Sequence, residues 1–234
     1  ILPGLSRLGL VVPLGGTTLF LRRHAIEVVG GWDAHNVTED ADLGIRLARR
    51  GFRTDIIDTV TQEEANARPW AWIKQRTRWL KGYALTWLVH NRNPARLWRD
   101  LGPWRFFGVQ VLLLGTLSQF LLAPLFLSFW LVPLGLPHPL QPVLPAGSLT
   151  LLAALFLASE LVNLVAFALG ARRAGKSALS FWIPVLHLYF PMATVAAWRA
   201  LWQALRDPFR WEKTAHGIFP GQVSQPPGRP ARRV

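Results

Sequence analysis

The sequence predicts a partial α/β domain followed by an α-helical transmembrane region. Three observations carry that reading: an uneven spread of charge, a helix-then-strand pattern before residue 66, and apolar runs too long for a soluble core. Residues 1–64 hold seven Lys/Arg against nine Asp/Glu, and residues 65–105 hold nine basic residues with Asp100 as the lone acid. Residues 106–171 contain no Lys or Arg and only Glu160 as an acid, whereas residues 172–234 return to ten basic and two acidic. The net charge of +13 therefore borders the apolar region. Lys and Arg concentrate in this way on the cytoplasmic side of a bilayer, facing anionic lipid. Basic stretches flanking such long apolar runs argue against a nucleic-acid partner. The chain has no cysteine, which excludes disulfides, thiolate catalysis and Cys-based metal sites.

The first unit, residues 1–66, opens on Ile1–Leu14, which has neither a charged start nor a cleavage site. It reads as the middle of a domain, so the chain is expected to be the C-terminal part of something longer. Gly15-Gly16-Thr17-Thr18-Leu19-Phe20-Leu21 predicts a glycine turn and a short β-rich run. Ala25–Val29 predicts one helical turn, ended by Gly30-Gly31. Thr38 is a good N-cap for a helix running to Arg50, with Glu39 and Asp40 favourable at its positive end and Gly51 as its C′ residue. Phe52–Val60, with Ile56, Ile57 and Val60, predicts a strand.

Residues 67–105 predict an amphipathic helix lying along a membrane surface. It should start at Pro69 and run to about Val89, rich in Lys/Arg and in Trp (70, 72, 79, 87). Residues 106–205 form the transmembrane region. Phe106–Leu134 and Ser148–Gly170 are long enough to cross. A third segment, 180–205, is spanning or re-entrant, interrupted by Pro184, Pro191 and Arg199. The four-proline connector Gly135–Gly147 suits an outside loop, and Arg172-Arg173-Ala174-Gly175-Lys176 an inside one. A re-entrant third segment kinked at Pro191 would keep the basic tail, 206–234, cytoplasmic; its end reads as disordered.

Two short motifs carry the chemistry. Thr38-Glu39-Asp40 is read most simply as a helix start; functionally it is a carboxylate held ionised at a helix N-terminus, able to take a proton from a hydroxyl. Asp40-Ala41-Asp42 resembles a metal-binding Asp-x-Asp, but positions two apart on a helix point different ways. Gln75, Arg78 and Trp79, at i, i+3 and i+4, share one helix face. That face offers a guanidinium suited to diphosphate and an indole suited to a sugar ring, or simply headgroup anchors. Within the spans, Gln110, Gln119, Glu160 and Asn163 are candidates for lining a polymer route or for helix–helix hydrogen bonding.

Taken in order, Gly15-Gly16-Thr17, Gly30-Gly31-Trp32-Asp33, Thr38-Glu39-Asp40, Glu63-Glu64 and Gln75-Arg76-Thr77-Arg78-Trp79-Leu80-Lys81-Gly82 resemble membrane-embedded family 2 glycosyltransferases, the processive enzymes related to bacterial cellulose and hyaluronan synthases. The ending Pro208-Phe209-Arg210-Trp211-Glu212-Lys213-Thr214-Ala215-His216-Gly217 resembles that of a bacterial subgroup. The resemblance implies a GT-A-like fold for residues 1–66 and inverting transfer from a nucleotide sugar, UDP-linked, to a growing polysaccharide. It implies Asp40 as general base, Thr38 and Glu39 shaping the acceptor end, Gln75 and Arg78 near the donor diphosphate, and Trp79 against the acceptor sugar. Lys213 and Thr214 match a gating loop loosely, and Glu160 and Asn163 become channel candidates. The implied setting is the inner membrane, multi-pass, with the catalytic part cytoplasmic and room for a periplasmic export partner. Mg²⁺ or Mn²⁺ is implied too. The family's metal ligands and nucleotide-binding strands lie upstream of what corresponds to Ile1, so the chain alone is expected to be inactive. A non-processive transferase using a lipid-linked acceptor, and a non-catalytic membrane anchor or transport fragment, remain alternatives.

Overall fold

The computed structural model describes residues 2–16, 18–57, 59, 61, 66 and 68–208. Thr17, Val60, Glu63, Glu64, Lys213 and Thr214 lie outside them. Helix α1 (Leu2–Arg7) leads through an extended segment to α2 (Arg23–Val29), which closes on Gly30 in the left-handed region at φ 79. Helix α3 (Glu39–Arg49) follows, and Gly51, at φ 82, turns the chain after it. The sequence places five apolar residues on α3, and all are buried. Leu43 and Leu47 pack with Leu14 and Ala25 near α2, while Ile45 and Ala48 pack with Val11, Leu97 and Leu101.

Among the described residues there is no strand, so the β part of the expected α/β unit is not confirmed. A strand exists only with a neighbour's backbone to bond. The extended residues 52–57 have a side chain beside them instead, where Ser6 Oγ donates to Asp55 Oδ1 at 3.1 Å.

Helix α4 (Pro69–His90) begins on its proline, whose missing N–H costs nothing in a first turn. Helix α5 (Pro94–Val109) is capped by Asn93, whose side chain accepts the Arg96 N–H, and bends where Gly102 (φ 73) precedes Pro103. The chain then loosens into a π-helical turn, Gln110–Gly115, before α6 (Thr116–Leu121) and α7 (Ala123–Ser128), which ends in a 3₁₀ turn, Phe129–Leu131. The run 106–134, expected to cross with tilt, is bent, as a broken span or a re-entrant loop would be. Pro94–Leu121 and Ala123–Leu131 meet at 63°. Leu122 leaves helical geometry (ψ 8), and Pro124 has no N–H to carry the ladder across.

Helix α8 (Ser148–Arg173) is apolar on every side and almost wholly exposed, the pattern of a helix that meets lipid. The segment Ser177–Leu188 is 3₁₀-helical and runs into α9 (Tyr189–Arg206). By length and composition α8 and Ser177–Arg206 can each cross a membrane, and the bent pair makes a third candidate if it is one span. Pro191 falls in the first turn of α9, where a missing N–H is tolerated. Ala196, Ala197 and Ala200 of α9 let it settle closely on Ile73 and Leu80 of α4.

Candidate functional site

The site starts at the N-terminus of α3. Thr38 occupies the cap position, yet its side chain makes no cap bond. Asn36 Oδ1 accepts the Thr38 N–H at 3.0 Å, and Asn36 Nδ2 donates to Thr86 Oγ1 on α4 at 2.8 Å. Thr38 is buried against α4 at Gly82, where an added Cβ would lie under 3.0 Å from three Thr38 atoms. The supposed cap is therefore a packing contact that presses the start of α3 onto α4.

Asp40 Oδ1 accepts the Ala41 N–H at 2.8 Å, and Oδ2 faces Gly16. Burial pushes the carboxyl up and the Glu39 charge adds to that, while the N–H groups of Ala41 and Gly16 pull it down; the net direction is upward. The helix terminus thus does not hold this group as firmly ionised as the sequence implies. A carboxylate with raised proton affinity is the stronger base.

The facing wall is one stripe of α4. Trp72, Arg76, Trp79 and Tyr83, spaced i, i+4, i+7 and i+11, line a cavity of about 620 Å³ together with Arg78. Thr38, Glu39 and Asp40 line its other side, and Thr116 and Phe120 of α6 and Ala193 of α9 contribute to the floor. Five of the six motif residues are brought together. Gln75 is not among the described lining residues; it sits at the flank of the stripe. Trp72, Arg76 and Tyr83 complete the wall, and the helical spacing of two indoles, a guanidinium and a phenol is the sequence signal for them.

The Arg76 guanidinium lies over the Trp79 ring at 4.4 Å and the Trp72 ring at 5.1 Å. Its Nε is buried with no hydrogen-bond partner. Burial pulls the Arg76 pKa down, opposed by Tyr83; burial first, then the Asp40 charge, pushes Tyr83 up against the pull of Arg76. Another hollow, about 640 Å³, lies along residues 12–22 and 52–57, but it lacks this pairing of carboxylates with guanidinium and indole.

Asp42 serves the scaffold. Its Oδ1 meets His90 Nε2 at 2.9 Å and its Oδ2 accepts from Arg46 Nε at 2.6 Å. Arg49 bonds His90 Nδ1 at 3.1 Å and donates to Asp100 Oδ2 at 2.6 Å, tying α3 to α4 and α5. Burial would raise the Asp42 pKa, but the His90 hydrogen bond and the Arg46 charge outweigh it and hold it low. Asp40 and Asp42 therefore do not face one ion. Among the described residues no group of three or more His, Asp or Glu could hold a metal. The resemblance places the ligands of its divalent ion outside residues 1–234, and the described residues offer no set that would hold one.

In the apolar region, Gln119, Ser159, Glu160 and Asn163 share a second cavity of about 460 Å³ with Phe126, Phe129, Phe156 and Phe190. Glu160 Oε2 lies 2.6 Å from His187 Nε2, linking α8 to the 3₁₀ segment. Gln110 is engaged elsewhere, accepting from Trp87 Nε1 at 2.6 Å and donating to Asn91 at 3.1 Å.

Comparison with known proteins finds relatives among glycosyltransferases. The chain is 31% identical over 139 residues, 59% of its length, to the UDP-forming cellulose synthase catalytic subunit of Komagataeibacter sucrofermentans, covering 18% of that protein. It is 34% identical over 73 residues (31% of the chain, 17% of the relative) to the probable glycosyltransferase YdaM of Bacillus subtilis. Identity is 36% over 70 residues (30% of the chain, 15% of the relative) to the beta-monoglucosyldiacylglycerol synthase of Synechocystis. The chain thus spans less than a fifth of each of these relatives. No solved structure matches it significantly. The model of glycosyl transferase family group 2 runs from residue 4 to residue 211, across both walls of the cavity and the apolar helices, and the chain belongs to that family.

Proposed function

We propose that this chain forms the acceptor side of a membrane-embedded transferase that moves a sugar from a UDP-sugar to a growing polysaccharide. The observation that carries the reading is the single cavity lined by Thr38, Glu39 and Asp40 on one side and Arg78 and Trp79 on the other. Asp40 takes the proton of an acceptor hydroxyl, and the oxygen attacks the anomeric carbon. The bond to the nucleoside diphosphate breaks with inversion, and the diphosphate leaves with the bonding electrons. Arg78 offsets its charge. Trp79, 38% exposed, offers an indole face to the acceptor ring.

In this reading residues 1–66 close a cytoplasmic GT-A unit, 67–105 lie along the inner-membrane surface, 106–205 cross it, and 206–234 return to the cytoplasm. Gln75 flanks the donor, Lys213 and Thr214 gate it, and Glu160 and Asn163 line the route of the product toward a periplasmic partner. Asp40→Asn in membranes carrying the complete protein tests the core of this proposal. Loss of transfer of about 10²-fold or more is expected for a missing general base; unchanged transfer would refute it and favour a membrane anchor. The Synechocystis relative, named for a glucosylated diacylglycerol, favours a second reading with a lipid acceptor. The size of the product separates the two.

A further inference from the structure

Tyr83 has no part in the motifs, yet it stands at the centre of the cavity's chemistry. It lines the same space as Asp40 and sits one turn beyond Trp79 on the same stripe of α4. Its side chain is half-buried and lines the cavity, where Arg76 Nε is buried without a hydrogen-bond partner. Tyr83 also feels the charges of both Asp40 and Arg76, which line the same cavity.

The wall that carries it is unusually fixed. Arg76 is covered by indoles on both sides, at 4.4 Å and 5.1 Å, so it cannot swing away without losing both contacts. Gly82, the residue before Tyr83, lies against Thr38, which holds the phenol at a set depth relative to the start of α3.

We propose that Tyr83 is a substrate-contacting residue: its phenol donates a hydrogen bond to the same acceptor sugar hydroxyl that gives its proton to Asp40. The Trp72–Arg76–Trp79 stack positions the wall on which it sits. A hydroxyl accepting from Tyr83 is polarised and becomes a better donor to Asp40, so the two contacts reinforce each other. No bond to Tyr83 forms or breaks; the proton still passes from the acceptor to Asp40. This inference rests on the assignment of Asp40 as base.

The ionisable groups facing the cavity are Glu39 and Asp40 from α3 and Arg76, Arg78 and Tyr83 from α4; α6 contributes Thr116 and Phe120, and α9 Ala193, none of them ionisable. Tyr83→Phe in the complete membrane protein is the test, with rates taken per folded protein and UDP-sugar as donor. The expected result is a fall in kcat of about tenfold, the worth of one hydrogen bond. The acid limb of kcat should move up by about half a pH unit, because Asp40 loses a polarised partner in the complex. The acid limb of kcat/KM, which reports the free enzyme, should stay where it is. An unchanged kcat, or a reduced kcat with an unmoved acid limb, would overturn the contact and leave Tyr83 a packing role. Activity surviving in Asp40→Asn would instead sink the underlying reading, so the two failures are distinct.

Discussion

Gly82→Ala probes how the acceptor side is assembled. In an ordinary helix interior this change stabilises, by up to about 1 kcal/mol, because alanine loses less backbone freedom than glycine. Here the sign should reverse. The new Cβ would lie under 3.0 Å from the Cβ, Cγ2 and Oγ1 of Thr38. None of these is the far end of a flexible chain, and Thr38 is buried, so it has no room to turn. Restoring contact distances near 3.5–4.0 Å requires α3 and α4 to part by about 1 Å. Overpacking of this kind costs about 1–3 kcal/mol, leaving a net loss of about 1–2 kcal/mol after the propensity gain.

The functional cost should exceed the loss of stability. Asp40 stands two residues from Thr38, so the same displacement moves the base away from the α4 wall, and a misplacement of about 1 Å can cost about 10²-fold in rate. Denaturant midpoints and kcat in purified membranes measure the two effects. Adding Thr38→Ala removes two of the three clashing atoms and should recover part of the stability, with a coupling of about 1 kcal/mol in the double-mutant cycle. A Gly82→Ala protein as stable as wild type, or more so, would refute the close approach outright, because helix propensity alone predicts that result.

Two further outcomes follow from charges away from the cavity. Asp42→Ala leaves His90 (4% exposed) and Arg46 without their shared carboxylate and should cost about 3–5 kcal/mol in unfolding. Because the folded-state pKa of Asp42 lies below its ordinary 3.8, its contribution is fully present above that value and is lost as pH falls through the lower one. Wild type should therefore lose stability more steeply than Asp42→Ala below about pH 3.8, and parallel acid-unfolding curves would contradict this. Glu160→Gln with Asn163→Leu removes the polar corner of the membrane cavity and should shorten the polymer or hold it on the cytoplasmic side; unchanged length and export would remove the channel assignment.

Local signals in the sequence were read well where local chemistry decides. Glycine after Arg50 ends α3, and Pro69 starts α4, because backbone conformation at those positions depends on the residue itself. Phe52–Ile57 shows the opposite case: β-branched residues favour an extended chain, but a ladder needs a second backbone, which no local pattern supplies. The 106–134 run was apolar enough to cross, yet hydropathy is blind to a missing N–H at Pro124 and to the π-helical turn before α6. In the site, the sequence groups Gln75, Arg78 and Trp79 by their shared helix face and by the family motif they match. The cavity is centred a little further round the helix, on Trp72, Arg76, Trp79 and Tyr83, because packing of α9 against Ile73 and Leu80 sets which stripe remains open.

That last point ties the membrane helices to the chemistry. Helix α4 has two occupied faces: Ile73 and Leu80 meet the alanines of α9, and Trp72, Arg76, Trp79 and Tyr83 meet the cavity. Small residues on α9 allow an approach that larger side chains would block, as in other closely packed helix pairs in membranes. Any rotation of α4 to relieve strain on one face would withdraw the other. Arg199 of α9, lying over Trp70 at 5.2 Å, and Tyr189 against Trp72 at 5.5 Å add to the same seam at the first turn of α4. The wall of the site and the last apolar segment therefore act as one body. On the proposed reading, the depth at which Ser177–Arg206 sits in a bilayer would set the height of Trp79 above it, and hence where an acceptor sugar would have to be held to reach Asp40.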